Sequence, residues 1–406
     1  MTAIDLDDWT SAPFIDDPYE HFGRLRETDP VHWNPLTRAW IVTRHSDVTA
    51  LLRQPQRFSS AESLPGPAEY VPPIRKEDWG LVNYLNAWDV SLIKQDRPEH
   101  RLMRDAVHRW FTPRAVEKWR AQLREQAGEL IRRRLAAGEL DVKNDFAVSL
   151  PLQTIGLMLD VPASDTARLQ QLSAARMGLL GIAPDRARRA ASAHFELEDY
   201  FAPLIEARRG NGSEDDLISL LAAGEVRGDY DRIQCLATVV LLLIAGHETT
   251  QNLISNGIHA FARHPEQWQL LCDDPEKYVS SAVEECLRFE PSVKALGRVC
   301  AEDLELGDRT LKAGDHISWV ISSANRDPRV FDRADEFDIT RSPNPHVAFG
   351  GGIHHCLGSS LARVEAQEAF LALAEVVPRL QLKEETVEYV PSPMMRELRA
   401  LHLVPG

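Results

Sequence analysis

Residues 349–358 read FGGGIHHCLG, and the cysteine in this loop is the side chain best placed for chemistry. Three consecutive glycines precede Cys356. After it, Leu357, Leu361, Val364 and Leu371 form a stripe at helical spacing that Pro378 ends. A cysteine opening a helix meets the positive end of the helix dipole and free N–H groups, which favour thiolate over thiol. Gly350, Gly351 and Gly352 leave room for a large flat cofactor against the backbone, and Phe349 can pack on it. A thiolate on haem iron donates electron density that favours O–O cleavage. Two other readings compete. Cys356 could be a small buried hydrophobe, or join His354 and His355 at zinc, although three adjacent ligands cannot easily surround a tetrahedral ion.

A second chemical locus follows the apolar run CLATVVLLLIAG at residues 235–246, where His247-Glu248-Thr249-Thr250 places polar groups in what should be a buried helix. Such burial costs free energy unless the groups are satisfied or used. The Thr249 hydroxyl can bond back to the Ala245 carbonyl four residues earlier, loosening the helix locally. The apolar run falls short of the roughly 20 residues that cross a bilayer. Glu285 and Arg288, three apart, can meet on one helix face.

Helical periodicity is strongest at residues 115–137, at 187–200 and from Leu357 onward. Short β signals lie at 31–33 and 40–43, and a hairpin is expected within 306–320, turning at Lys312-Ala313-Gly314-Asp315. These features predict a mainly α fold with small β-sheets. No linker interrupts the chain, so residues 1–406 read as a single domain. Residues 60–94 combine prolines with Tyr70, Trp79, Tyr84 and Trp88 and show no sustained helical period, which reads as a binding loop or lid.

With 46 basic and 61 acidic residues the formal charge is −15, which opposes nucleic acid and anionic membranes as partners. The acidic start MTAIDLDDWTSAPF lacks the pattern of a secretion signal. Five cysteines, at 235, 272, 286, 300 and 356, fit reduced thiols in a cytoplasm.

FGGGIHHCLG agrees at every specified position with F-G-x-G-x-H-x-C-x-G, and Leu361-Ala362-Arg363 continues the pattern. On this motif the chain resembles the cytochrome P450 family, over nearly its whole length. The resemblance implies the cytochrome P450 fold, with haem b between a long distal helix and a proximal cysteine-loop helix. It makes Cys356 the axial metal ligand, and it places Ala245, Phe349, Gly350 and Gly358 at the cofactor. Haem propionates would be held by His100, Arg104, Arg298 and His354, and protons relayed by Glu248 and Thr249. Glu285 and Arg288 correspond to a buried scaffold pair. In many relatives a third basic residue joins that pair from just ahead of a phenylalanine, whereas this chain has Glu336 before Phe337.

The implied activity is insertion of one atom of dioxygen into an apolar small organic substrate. Substrate-contacting regions map to Trp88, Leu243, Val293, Leu296, Met394 and Met395. Lys294, among them, either meets a substrate carboxylate or points to solvent. No flavin or iron–sulfur signature occurs, so electrons would come from a ferredoxin-type redox partner with its reductase. Arg101, Arg109, Arg114 and Arg363 could form its basic dock. Two alternatives are a haem-thiolate peroxygenase or isomerase, which would not need Glu248 and Thr249, and a non-catalytic haem-binding sensor, for which no effector segment is seen. The reduced carbon monoxide complex should show the red-shifted band of thiolate-ligated haem, and Cys356→Ser should abolish it.

Overall fold

The computed structural model describes residues 5–61, 74–88, 90–136, 138, 140–210 and 213–404. Its centre is the helix Arg232–Arg263, 32 residues long. Asp231 starts it with a capping box: its carboxylate accepts from the Gln234 N–H, and the Gln234 side chain accepts from the Asp231 N–H. This helix is apolar on most of its circumference, as a helix enclosed on all sides must be. Helices Ser149–Met158, Arg186–Arg208, Pro275–Phe289 and Ser359–Val376 pack around it. Among the described residues it alone is long and apolar enough to cross a membrane, and most of that apolar surface is buried within the protein.

Among the described residues, nine short strands follow in chain order: β1 (Val31–Asn34), β2 (Ala39–Val42), β3 (Phe58–Ser59), β4 (Leu140–Asp141), β5 (Ala295–Cys300), β6 (Leu304–Leu306), β7 (Arg309–Leu311), β8 (His316–Val320) and β9 (His402–Leu403). The main sheet has the order β1-β2-β8-β5-β3, with β2 and β8 parallel and its other pairs antiparallel. β4 pairs with β9.

The expected hairpin is corrected. β6 pairs with β7 around Gly307-Asp308, where Gly307 has φ +61°, while β8 leaves to pair with β2 and β5. The segment Lys312-Ala313-Gly314-Asp315 does turn, but joins strands of different sheets. Residues 115–137 divide into Pro113–Glu117 and Arg120–Ala136. Residues 60–94 also differ from expectation. Residues 62–73 lie outside the described ones, but Trp79–Trp88 is helical and packs Val82 and Leu85 on Ala187, Ala190 and Ala191 of Arg186–Arg208. The Leu81, Val82, Leu85 period is short and follows a run of prolines, which obscures it.

Gly351 and Gly352 have a reason in addition to the expected clearance for a flat cofactor. Gly352 has φ +63°, and a Cβ there would stand 2.2 Å from the Leu52 carbonyl oxygen; one on Gly351 would meet the Leu52 side chain at 3.3 Å. The helix His45–Leu52 therefore fixes the loop by close approach. Gly352→Ala combines left-handed strain of about 1–3 kcal/mol with a backbone clash. It should lower the melting temperature and haem content together, as read by thermal unfolding and absorbance.

Candidate active site

The Gly350 N–H donates to the Val347 carbonyl, and the Cys356 N–H to the Phe349 carbonyl, both at 2.9 Å. Helix Ser359–Val376 has Gly358 as its N-cap, so Cys356 sits two residues before the cap rather than in the first turn. The sulfur accepts from the Gly358 N–H. Burial nevertheless pushes the thiol up, and the Gly358 N–H, Arg104 and Arg363 only partly offset it. The helix end does not by itself make a thiolate; a cation at the sulfur would. The Phe349 ring lies under the Arg363 guanidinium at 4.5 Å.

Beside this loop, His100 and His354 meet edge to face with ring centroids 4.3 Å apart, and His354 Nε2 lies 3.0 Å from Ser60 Oγ. Burial first, then neighbouring arginines, hold His354 down at about 3 and His100 at about 4, so both are neutral at pH 7. Burial lowers Arg298 to about 10, still charged at that pH, and also lowers Arg104. Arg298 donates to the Gly297 carbonyl at 2.8 Å. Among the described residues neither guanidinium has a carboxylate at ion-pair distance. Unpaired cations held out of water are costly. Buried Arg298 and half-buried Arg104, with two neutral imidazoles, suit a dianionic group such as the haem propionates.

The central helix exposes one stripe in the middle of the core. Ala245 is exposed, and Leu241 and Thr249, four residues to either side, are half-buried. An alanine open at the centre of a core helix marks a void beside it, as a cofactor-binding protein requires. Thr249 Oγ1 donates to the Ala245 carbonyl at 3.1 Å, and the Ser292 hydroxyl donates to the Thr249 carbonyl at 2.7 Å. Glu248 is buried, and Gln251 Nε2 donates to its Oε2 at 2.6 Å.

Leu243 is corrected: it is fully buried in the main core, two residues from Ala245 and so on the opposite helix face. Val293 and Met395 form an isolated bridge near half-buried Leu296 and Met394. Lys294 matches neither expectation. Only 1% exposed, it donates from Nζ to the Ser392 carbonyl at 2.6 Å and lies 5.0 Å over the Phe14 ring. Burial lowers its ammonium strongly. The Trp88 side chain lies outside the described ones.

Glu285 and Arg288 are both 0% exposed and form a bidentate pair at 2.7 and 2.8 Å. The third basic member is Arg341, 3.3 Å from Glu285, approaching from beyond Phe337. Glu336 contributes its backbone carbonyl to Arg288 and its carboxylate to Arg333.

Sequence reasoning missed Glu365, although it falls on the apolar stripe four residues after Leu361. It is 0% exposed beside Thr154 and Thr250, with neither oxygen in a hydrogen bond of good geometry. The Thr154 hydroxyl donates to the Leu150 carbonyl instead.

A cysteine loop under a helix with an accessible, threonine-bearing centre, flanked by unpaired cations, defines a haem-thiolate oxygenase. The chain belongs to the cytochrome P450 family. The family profile described as Cytochrome P450 matches residues 276–404. The biotin biosynthesis cytochrome P450 of Bacillus subtilis (strain 168) is 33% identical over 397 residues, covering 96% of this chain and 97% of that one. The steroid C26-monooxygenase of Rhodococcus jostii (strain RHA1) is 33% identical, covering 89% and 76%. The solved structure of P450BioI in complex with hexadec-9Z-enoic acid ligated acyl carrier protein superposes with a TM-score of 0.87 at 32% identity, covering 97% of this chain and 100% of that one. The protein is a haem-dependent monooxygenase.

Burial pushes Glu365 from 4.5 up to about 8. Between those values the unfolded state has released the proton that the folded state keeps, so stability falls as pH rises. Glu365→Gln should remove this fall and gain on the wild type from pH 5 to pH 8, as read by denaturant midpoints.

Proposed function

We propose that residues 1–406 form one haem domain in which Cys356 ligates iron, Glu248 and Thr249 handle protons, and His100, Arg104, Arg298 and His354 hold the propionates. When bound, haem supplies the iron at which dioxygen is reduced and activated. The main core, running from Leu92 to Leu403, supports the single-domain reading. Ala245 leaves space on the distal side because it has almost no side chain. Thr249, one helical turn on, offers a hydroxyl whose own proton is committed to the Ala245 carbonyl. Glu248, adjacent in sequence, is the nearest acid able to replenish it. Phe349, Gly350 and Gly358 shape the sulfur side: the loop holds Cys356 by the Phe349 carbonyl, and the Gly358 N–H bonds the sulfur.

Val293, Leu296, Met394 and Met395 offer an apolar surface, in keeping with a small organic substrate. Lys294 has no part in recognising a substrate carboxylate, because its ammonium is committed to Ser392. Five cysteines without a disulfide support a cytoplasmic setting.

For the electron donor we infer an acidic, ferredoxin-type protein. The carrying observation is a cleft of about 670 Å³ lined by Arg53, Arg97, Arg101 and Arg104 together with Gly352 and Ile353 of the cysteine loop. Asp105 also lines the cleft and pairs with Arg101 at 3.3 Å, so Arg53, Arg97 and Arg104 are the cations that oppose the overall charge of −15 beside the cysteine loop. Two arginines of the dock expected from sequence are already neutralised: Arg109 meets Glu214 at 2.6 Å, and Arg363 meets Glu284 at 2.6 and 3.0 Å. Arg53→Glu with Arg97→Glu should slow reduction by an acidic ferredoxin about tenfold and flatten its salt dependence, with the carbon monoxide spectrum unchanged. Stopped-flow reduction across ionic strength checks this, and an unchanged rate and slope would overturn the docking site.

A further inference from the structure

Lys294 stands beside Val293 on the apolar surface, yet its side chain is 1% exposed. Among the described residues it has no carboxylate at ion-pair distance. Glu290, the acid that acts on it through space, is already taken by Arg396 at 3.0 Å and Arg326 at 3.5 Å. Burying an amine on these terms costs free energy that a methionine of similar length would not. What the amine does there is therefore informative.

Its Nζ donates to the Ser392 carbonyl at 2.6 Å, and its backbone N–H donates to the Met394 carbonyl at 2.7 Å. Both acceptors lie in the tip of a hairpin whose arms meet at Tyr389 with Leu398 and at Val390 with Glu397. The Ser392 hydroxyl carries the connection further. It donates to the Leu180 carbonyl at 2.9 Å and accepts from the N–H groups of Met394 and Met395 at 3.3 and 3.1 Å. Leu180 ends the turn Gly178–Leu180 that follows the helix Thr166–Met177. A Cβ on Gly181 would meet the Pro391 carbonyl at 3.3 Å, so turn and hairpin tip are in backbone contact.

Val293 is held separately. Ser292, just before it, donates from its hydroxyl to the Thr249 carbonyl at 2.7 Å and accepts from the Arg396 N–H at 2.9 Å. Backbone bonds thus set the register of strand and hairpin and join them to the central helix. The amine adds a hold on the tip itself.

We propose that Lys294 is a positioning residue for substrate selectivity, pinning the hairpin tip, and through Ser392 the Leu180 turn, so that Met394 and Met395 meet a substrate from one fixed position. The idea rests on the reading of Val293, Met394 and Met395 as the substrate surface. Methionines free to move adapt to many shapes and bind without discrimination. Held in place, they favour molecules that fit, because binding need not order them.

Lys294→Met separates positioning from bulk stability. It keeps the length of the side chain and removes a buried amine, so the melting temperature should hold or rise. Hydrogen exchange read by mass spectrometry should nonetheless quicken about tenfold in residues 178–181 and 391–395, and Ser392→Ala should reproduce the change at 178–181. Unchanged protection in both segments of Lys294→Met overturns the tether, whatever the melting temperature does. If Lys294→Met does not fold, Lys294→Leu stands in with the same outcomes.

Selectivity is read by spectral titration of the holoenzyme with two azoles that ligate haem iron, imidazole and 4-phenylimidazole. Lys294→Met should weaken 4-phenylimidazole about tenfold and leave imidazole, too small to reach the methionines, unchanged. Equal effects on both azoles, or none, overturn the role in selectivity. Met395→Ala examines the surface itself. If it leaves 4-phenylimidazole binding unchanged, the substrate-surface reading fails and takes the selectivity role with it, while hydrogen exchange still decides the tether.

Discussion

The Glu285–Arg288 pair is the interaction on which the cysteine loop depends. A fully buried ion pair gains little over apolar packing unless its remaining valences are filled, and here they are filled by backbone from elsewhere in the fold. Arg288 donates to the carbonyls of Asn325, Ala334 and Glu336. Glu285 accepts from the Asp338 N–H, the Asn344 amide and Arg341. Asn325 then extends the chain: its side-chain oxygen accepts from the Val347 N–H at 2.8 Å, and the Val347 carbonyl accepts from the Gly350 N–H. Two charges on one helix thereby set the backbone path of a loop whose cysteine lies some seventy residues later in the chain. Losing either charge would leave the other buried and uncompensated, a heavier penalty than losing a surface pair.

The distal side obeys the same accounting with the opposite result. Glu285 accepts five hydrogen bonds, whereas Glu248 accepts one from Gln251 and has His247 Nε2 at 3.3 Å. Glu365 has none of good geometry. The carboxyl that holds structure is saturated, and Glu365, left under-bonded and buried, is the one pushed up to about 8. On the helix that lines the void, His247, Gln251 and Asn252 have unsatisfied polar atoms within one turn of Thr249, and Asn256 has one two turns on.

Much of this was readable from sequence, for reasons of range. The Cys356 loop, the Thr249 back-bond and the Glu285–Arg288 pairing depend on spacings of three to ten residues, which helix geometry converts directly into contact. What was not readable depends on partners distant in the chain. Arg341 completes the ion network from a position no local spacing predicts. Gly351 and Gly352 answer to Leu52, some three hundred residues away. Lys294 is buried by the amino-terminal Phe14 and the late Ser392 carbonyl. The misplaced hairpin has a related origin, because β8 pairs with remote β2 and with β5, three strands earlier, rather than with its nearest neighbour. Leu243 is a different error. It lies within a correctly read helix, and the two-residue offset from Ala245 was enough to turn it to the packed side.

Charge pairing separates the arginines that hold the fold from those that await a ligand. In a chain with 61 acids to 46 bases, an arginine surrounded by carboxylates is the expected state, and Arg109 and Arg363 conform to it. Among the described residues Arg104 and Arg298 stay without one despite the excess of acid, and Arg298 does so while almost wholly buried. Desolvation of Arg298 is already enough to lower it to about 10, a cost the fold would shed if a carboxylate were placed alongside. Under the proposed function, that position, free of protein acids among the described residues, suits the acids that would arrive with the cofactor. Arg104 has a second outlook, lining the cleft where Arg53, Arg97 and Arg101 gather. One helix, Glu99–Val107, thus carries His100 and Arg104 toward the haem site and Arg101 toward the surface. A redox protein bound at that surface would lie directly behind the residues proposed to hold the cofactor.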